Sequence, residues 1–225
     1  MVAQLTFDLP VRPALGREDF FVSPANALAV ATLDQPDLWP NGKLLLIGPE
    51  GAGKTHLAMV FAARTRAQVI EADDLAAADL PEAAALVIEN ADAAAGDPDA
   101  ETALFHLHNH MTGRGGLLLL TATRAPRDWG LTLPDLQSRM EATATATLLP
   151  PDDALLGAVL VKLFADRQLQ VAPGFIRWLV RRIDRSFATA SAVVAALDAE
   201  ALATKRPINS TLAAGLLDSD GKVAP

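Results

Sequence analysis

The stretch Gly48-Pro49-Glu50-Gly51-Ala52-Gly53-Lys54-Thr55 has the residue types and spacing of a phosphate-binding loop, G-x-x-x-x-G-K-T. Its context fits as well, with the short apolar run KLLLIG before it and the helical pattern THLAMVFAARTR after it. The glycines let main-chain amides curl around an anion, and the helix that follows presents the positive end of its dipole to the same charge. Lys54 is the residue that reaches the outer phosphates, and Thr55 offers a hydroxyl to a magnesium ion. His56 comes next, read either as a packed helix residue or as a catalyst. The chemistry expected here is binding of ATP or ADP with Mg2+.

Such a loop works with an acid at the end of a neighbouring strand, which helps to hold the metal. Leu86-Val87-Ile88-Glu89-Asn90-Ala91-Asp92 supplies Glu89 for that role, directly or through water. Where two acids stand in a row, the second orients or deprotonates the attacking water. The second residue here is Asn90, which can orient a water but cannot accept its proton. General-base catalysis contributes roughly 10²–10⁴ in rate, so this site is expected to bind nucleotide and hydrolyse it slowly. Asp92 restores the missing carboxylate only if it reaches back toward the loop. A further strand pattern ends Leu120-Thr121-Ala122-Thr123-Arg124, and Thr123 there either monitors the outer phosphate or caps the strand's exit. His106 and His110 share a helix face. Leu107 stands where the zinc pattern H-E-x-x-H has its glutamate, so packing or solvation is the expectation for these histidines.

The elements that must position these residues alternate. Strand patterns fall at 43–48, 67–72, 85–90, 116–123 and 143–150, with helical patterns at 23–34, 55–66 and 101–112. Ser23 is the expected cap of the first helix, with Pro24 at its first position. Alternation of this kind predicts an α/β unit with a five-stranded parallel sheet flanked by helices. After Pro150 the strand signal stops, and 151–168, 173–183, 186–203 and 211–218 read as helices. The expected division is a leader at 1–22, an α/β nucleotide-binding domain at 23–150 and a small all-helical domain at 151–225.

Composition narrows the function. Apolar residues make up 51 % of the chain, which fits a globular protein, and the absence of cysteine rules out disulfides and thiolate metal sites. No uninterrupted apolar run has the length of a membrane span, and the opening MVAQLTFDLP carries no basic residue of the kind a signal peptide needs. A cytoplasmic protein without membrane contact is expected. Lys and Arg number 19 against 27 Asp and Glu, a formal net of -8, so tight direct binding to DNA is not expected.

Taken together, GPEGAGKTHL at 48–57, FHLHNH with LLLLTATRAPRDW at 105–129, and LPDLQSRM at 133–140 resemble the AAA+ ATPases of the DnaA clade, and within them the Hda (HdaA) family. The resemblance implies an AAA+ P-loop NTPase fold with an all-helical lid. It places Arg139, in LPDLQSRM, as an arginine finger acting in trans on a neighbour's nucleotide, and puts Thr123 at the sensor position. Glu89 and Asn90 fall on the paired acids, a departure from the fuller acidic pattern that counts against strong autonomous hydrolysis. Counting from Asp184-Arg185, the lid arginine of complete family members falls on Val193, and Arg185 is the nearest substitute. A separate DNA-binding domain is expected to be absent after Pro225.

The same resemblance gives the leader a role. Gln4, Leu5, Phe7 and Leu9 fit the clamp-binding peptide Q-L-x-hydrophobic-x-L, which implies the sliding clamp (the DNA polymerase III beta subunit) and DnaA as partners, with homo-oligomers as a further assembly. Physically, an apolar peptide on an extended arm can fill a preformed groove while glutamine fixes its register. The alternative is that these side chains pack on their own domain. The expected function is a nucleotide-binding adaptor that docks on the clamp and stimulates hydrolysis of DnaA-bound ATP, lowering replication initiation. A self-sufficient AAA+ ATPase or remodelling factor, and a DnaA-type accessory protein that binds DNA, are the competing readings.

Overall fold

A computed structural model describes residues 22–219. Its centre is a five-stranded, all-parallel sheet of β1 (Lys43–Ile47), β2 (Gln68–Glu71), β3 (Ala85–Glu89), β4 (Leu117–Ala122) and β5 (Thr145–Thr147), in the order β2-β3-β4-β1-β5. Parallel strands need crossovers, and helices α1 (Ala27–Leu33), α2 (Lys54–Thr65), α3 (Pro98–Gly113) and α4 (Pro134–Glu141) flank them. The fold is the α/β architecture expected from the alternating pattern.

Period-two alternation splits the strand residues between two cores. One face of the sheet sends Leu45, Ile70, Leu86, Ile88, Leu118 and Leu120 against Leu104, Leu107 and Met111 of α3 and Leu136 and Met140 of α4. The other sends Leu44, Leu46, Val87 and Leu119 against Ala29 and Leu33 of α1 and Leu57, Ala58 and Phe61 of α2. Each fully buried side chain of this size stabilises by about 1.5–3 kcal/mol relative to exposure. All five residues of β3 are buried, which is why ALVIE reads as a continuous apolar run up to its terminal glutamate.

A third cluster draws only on the C-terminal helices α5 (Asp153–Asp166), α6 (Pro173–Val180), α7 (Phe187–Thr204) and α8 (Ser210–Ser219), where Leu156, Phe164, Leu179, Val194 and Leu197 pack together. Asp152 caps α5 by accepting from the Leu155 amide at 2.8 Å, and Ser186 caps α7 through the Thr189 amide at 3.3 Å. α7 has 18 residues and, by length and composition, is apolar enough to cross a membrane, unlike any run expected from the sequence. It buries Ala190, Val193, Val194 and Leu197 in the helical cluster and carries Asp198 and Glu200 near its far end.

One local expectation is corrected. The first helix begins at Ala27 with Asn26 at its N-cap, because Ser23 and Asn26 close a turn on each other, the Ser23 amide donating to Asn26 Oδ1 at 2.8 Å. Pro24 therefore lies in that turn and not in the helix. LPDLQSRM forms α4, which its short and largely polar sequence conceals.

His108 on α3 is buried, and its Nδ1 has no hydrogen-bond partner in the protein. Burial first, then the nearby charges of Lys43 and Arg139, hold its pKa down at about 4, against a weaker opposing bond from Asn109. The other two histidines are separated from it. His106 makes an edge contact with Phe105, and His110 meets the Pro81 carbonyl at 2.9 Å. No group of three or more His, Cys, Asp or Glu side chains placed to hold a metal ion occurs among the described residues.

The burial of His108 has a pH consequence. The unfolded chain takes a proton on this residue near pH 6.5, and the folded chain only near 4. Its stability contribution is therefore whole above about pH 6.5 and is lost progressively as pH falls toward 4, up to about 3 kcal/mol. The loss of Tm between pH 7.5 and 5 should be several degrees smaller in H108L than in the wild type, by thermal melts in matched buffers.

Candidate functional site

The carboxyl edge of the sheet brings the expected chemistry together. Ile47 pairs with Ala122 and Glu71 with Glu89, so β1 and β4 end together, as do β2 and β3. The loop at 48–53 leaves β1 and enters α2, with Gly51 at φ 69° and Gly53 at φ 95°. Both are left-handed conformations that favour glycine. The space around them is as restrictive as the backbone. A Cβ on Gly51 would run into Ser186 Oγ, and one on Gly53 would approach the Phe187 ring to 3.0 Å. The first turn of α7 thus sits on the loop, and the Phe187 amide donates to the Gly51 carbonyl at 2.8 Å.

Lys54 is buried at the start of α2 and donates to the Gly48 carbonyl at 2.8 Å and the Pro49 carbonyl at 3.1 Å. Burial lowers its pKa, while Asp92, Glu89 and Glu50 oppose that shift in decreasing order. The Thr55 hydroxyl donates to Glu89 Oε2 at 2.6 Å. Glu89 is only 1 % exposed, and its Oε1 has no partner in the protein. Burial pushes its pKa up, hydrogen bonds from Thr55 and Thr121 pull it back, Glu71 adds to the rise and Lys54 opposes it. A buried carboxylate oxygen without a donor, beside a threonine hydroxyl, suits a hard oxygen-seeking cation, so Thr55 and Glu89 fit Mg2+.

Asn90 takes φ 54° at the exit of β3, where its amide donates to Thr121 Oγ1 at 2.9 Å and its side-chain Nδ2 to Glu71 Oε2 at 3.3 Å. Asp92 does reach the cleft, since its Oδ2 accepts both the Thr123 amide, at 3.0 Å, and the Thr123 hydroxyl. Arg124 Nε stands 3.9 Å from the same oxygen. Glu50, Gly51, Gly53, Lys54, Thr55, Asn90, Asp92 and Thr123 line one cleft of about 700 Å³ with Glu71, Asp73, Arg124, Phe187 and Ala188. Gly48, Pro49 and Ala52 shape the loop from behind, and His56, half-buried on α2, is not part of the lining.

Other expected residues lie elsewhere. Arg139 is exposed on α4, its guanidinium 5.0 Å from the centre of the Phe105 ring and outside the cleft lining. Val193 is 1 % exposed inside the helical cluster, so an arginine there would have to leave a core position to meet a ligand. Phe187 and Ala188 are the residues of α7 that line the cleft. Arg185 pairs with Asp153 at 2.8 Å on an exposed surface. Gln4, Leu5, Phe7 and Leu9 fall outside the described residues. Glu71 and Phe187 belong to the cleft but not to the motifs. The end of a strand neighbouring β3 is the signal that points to the first, and the residue after a helix cap facing the loop points to the second.

Sheet order, loop and helical C-terminal part together define an AAA+ P-loop NTPase fold. No family model matches the sequence. Among solved structures, domain III of the replication initiation protein DnaA from Thermotoga maritima superposes with a TM-score of 0.77 over 94 % of this chain and 98 % of that one, at 21 % identity. A replication initiator DnaA bound to AMPPCP and single-stranded DNA matches with a TM-score of 0.70 over 87 % of this chain and 69 % of that one, at 18 % identity. The RuvB Holliday junction branch migration motor of Thermotoga maritima gives 0.59 over 86 % and 65 %, at 17 % identity. The chain has a DnaA-like AAA+ fold.

The contact between loop and α7 can be broken at one atom. G51A forces alanine into a left-handed conformation and against Ser186, which costs roughly 1–3 kcal/mol from the backbone alone. That is a fall of about 3–10 °C in Tm for a chain of this size. G174A is the control, since nothing lies within 4 Å of the added methyl, and it should leave Tm within about 2 °C by calorimetry.

Proposed function

We propose that the protein is a nucleotide-binding adaptor in bacterial replication initiation. It holds ADP or ATP with Mg2+ in the cleft at 48–55, with Thr55 and Glu89 on the metal. It docks on the sliding clamp through Gln4, Leu5, Phe7 and Leu9, and it offers Arg139 to the ATP of a DnaA molecule. Residues 23–150 act as the nucleotide-binding domain and 151–225 as its lid, in the cytoplasm. The cleft's fit to Mg2+ and a DnaA neighbour solved with AMPPCP support the nucleotide.

The observation that carries this reading is the position of Arg139. It is exposed on α4 and rests on Phe105, away from the cleft of its own chain. A guanidinium so placed is available to a second molecule, where it would stabilise developing phosphoryl charge. Fingers of this kind are worth roughly 10³–10⁵ in rate in GTPase systems. The Glu89-Asn90 pair supports the complementary half, because a cleft with an amide in place of the second carboxylate is suited to retain nucleotide. A second reading, a DnaA-type protein that contacts nucleic acid, draws on the neighbour bound to single-stranded DNA. The acidic net charge of -8 counts against it.

The deciding experiment is hydrolysis of DnaA-bound ATP with clamp loaded on DNA. Wild-type protein should accelerate it, and R139A should lose at least 100-fold of that stimulation while keeping its own nucleotide and clamp affinity. L5A/F7A should weaken clamp binding at least about tenfold, equal to about 1.4 kcal/mol, with Tm unchanged. A lowered Tm with clamp affinity intact would instead mean that the leader packs on its own domain. Tight, salt-sensitive single-strand binding without stimulation would favour the second reading.

A further inference from the structure

Asp92 ends in a place where a carboxylate needs a reason. It is 7 % exposed in the turn after β3, and two donors from the end of β4, the Thr123 amide and the Thr123 hydroxyl, converge on its Oδ2. Arg124 Nε lies 3.9 Å from the same atom. One carboxylate thus takes the Thr123 hydroxyl and stands beside the Arg124 guanidinium, both of which line the cleft.

A threonine hydroxyl has a single proton to donate. While that proton is given to Asp92, Thr123 has none for a phosphate oxygen. A third phosphate brings further negative charge toward a buried carboxylate, where like charges disfavour each other far more than in water. A diphosphate, held by the loop amides and Lys54, makes no demand on Thr123.

We infer that Asp92 sets the selectivity of the cleft for phosphate number: it competes with the third phosphate of a nucleoside triphosphate for Thr123 and Arg124, and so favours the diphosphate. This rests on the nucleotide-binding reading of the loop. It gives Asp92 work other than proton abstraction. Accommodating a triphosphate requires Thr123 to turn its proton from Asp92 to the ligand, which gives up one of the bonds between the turn after β3 and the end of β4.

The test uses the full chain, Mg2+, and two probes, ADP and the non-hydrolysable triphosphate AMPPCP. D92N is nearly isosteric and keeps an oxygen to accept the Thr123 amide. It should leave ADP affinity within about twofold and tighten AMPPCP at least tenfold, measured by calorimetric titration beside a thermal melt. T123V removes the contested donor without touching the carboxylate, and should shift the ratio the other way by weakening AMPPCP more than ADP. In the T123V background the effect of D92N should shrink, because the two side chains act through one hydroxyl. If D92N fails to fold, T123V alone decides. An unchanged ratio of affinities in the folded variants, or equal changes for both probes, overturns the inference. Wild-type protein that binds neither probe overturns the nucleotide reading and this inference together. Wild-type protein that binds both with variants that leave their ratio untouched overturns this inference alone.

Discussion

Three charged side chains, Lys54, Glu89 and Asp92, are buried at one end of one sheet, and the rest of the structure makes that tolerable. An ion removed from water without partners is strongly destabilising, so each must be met by donors or acceptors in fixed positions. The fold supplies them from three segments: the loop carbonyls of Gly48 and Pro49 for Lys54, the hydroxyl of Thr55 for Glu89, and Thr123 for Asp92. None of these pairs is local in sequence apart from the lysine and its own loop. A parallel sheet with paired strand ends is what places residues 55, 89, 92 and 123 within reach of each other. One oxygen, Glu89 Oε1, is left over in this accounting, and it is the one beside the threonine hydroxyl best suited to a metal.

Much of this was legible in the residues. KLLLIG, ALVIEN and GLLLLTAT read as strands because buried parallel strands are continuous apolar runs, and their observed limits differ from the expected ones by a residue or so at each end. The phosphate loop is local chemistry, and a local pattern carries it completely. Three things were hidden, for separate physical reasons. α4 has eight residues, most of them polar, so its periodicity is too short to see. β5 has only three residues, and TATATLLP overstates it because only its middle residues, Thr145 to Thr147, pair with β1. The reach of Asp92 depends on the end of β4, a partner thirty-one residues away in the chain. Counting along a helix also failed once. Val193 is the right number of residues from Arg185, but the face of α7 it occupies is turned into the helical core.

Fold and activity separate cleanly in this protein. The likeness to DnaA domain III spans nearly the whole chain at an identity where architecture persists and sites diverge. Residue 90 of this cleft is an amide where the fuller acidic pattern has a carboxylate, and it is held to Glu71 across the β2–β3 pair. Arg139 lies outside that cleft, so on the proposed reading the nucleotide site and the exposed guanidinium are two separate features of one scaffold. Each can be altered without the other.

The bond between the Phe187 amide and the Gly51 carbonyl makes the loop and the C-terminal helices a lever. Its pivot lies where phosphate would press, and its arm is α7. An 18-residue helix is about 27 Å long, so a tilt of about 10° at the pivot carries the far end through about 5 Å. A displacement too small to notice in the loop becomes a side-chain-sized movement at the outer end of the helical cluster. A tilt of α7 against the loop would therefore be felt most at Lys205, the end of the helix furthest from the cleft.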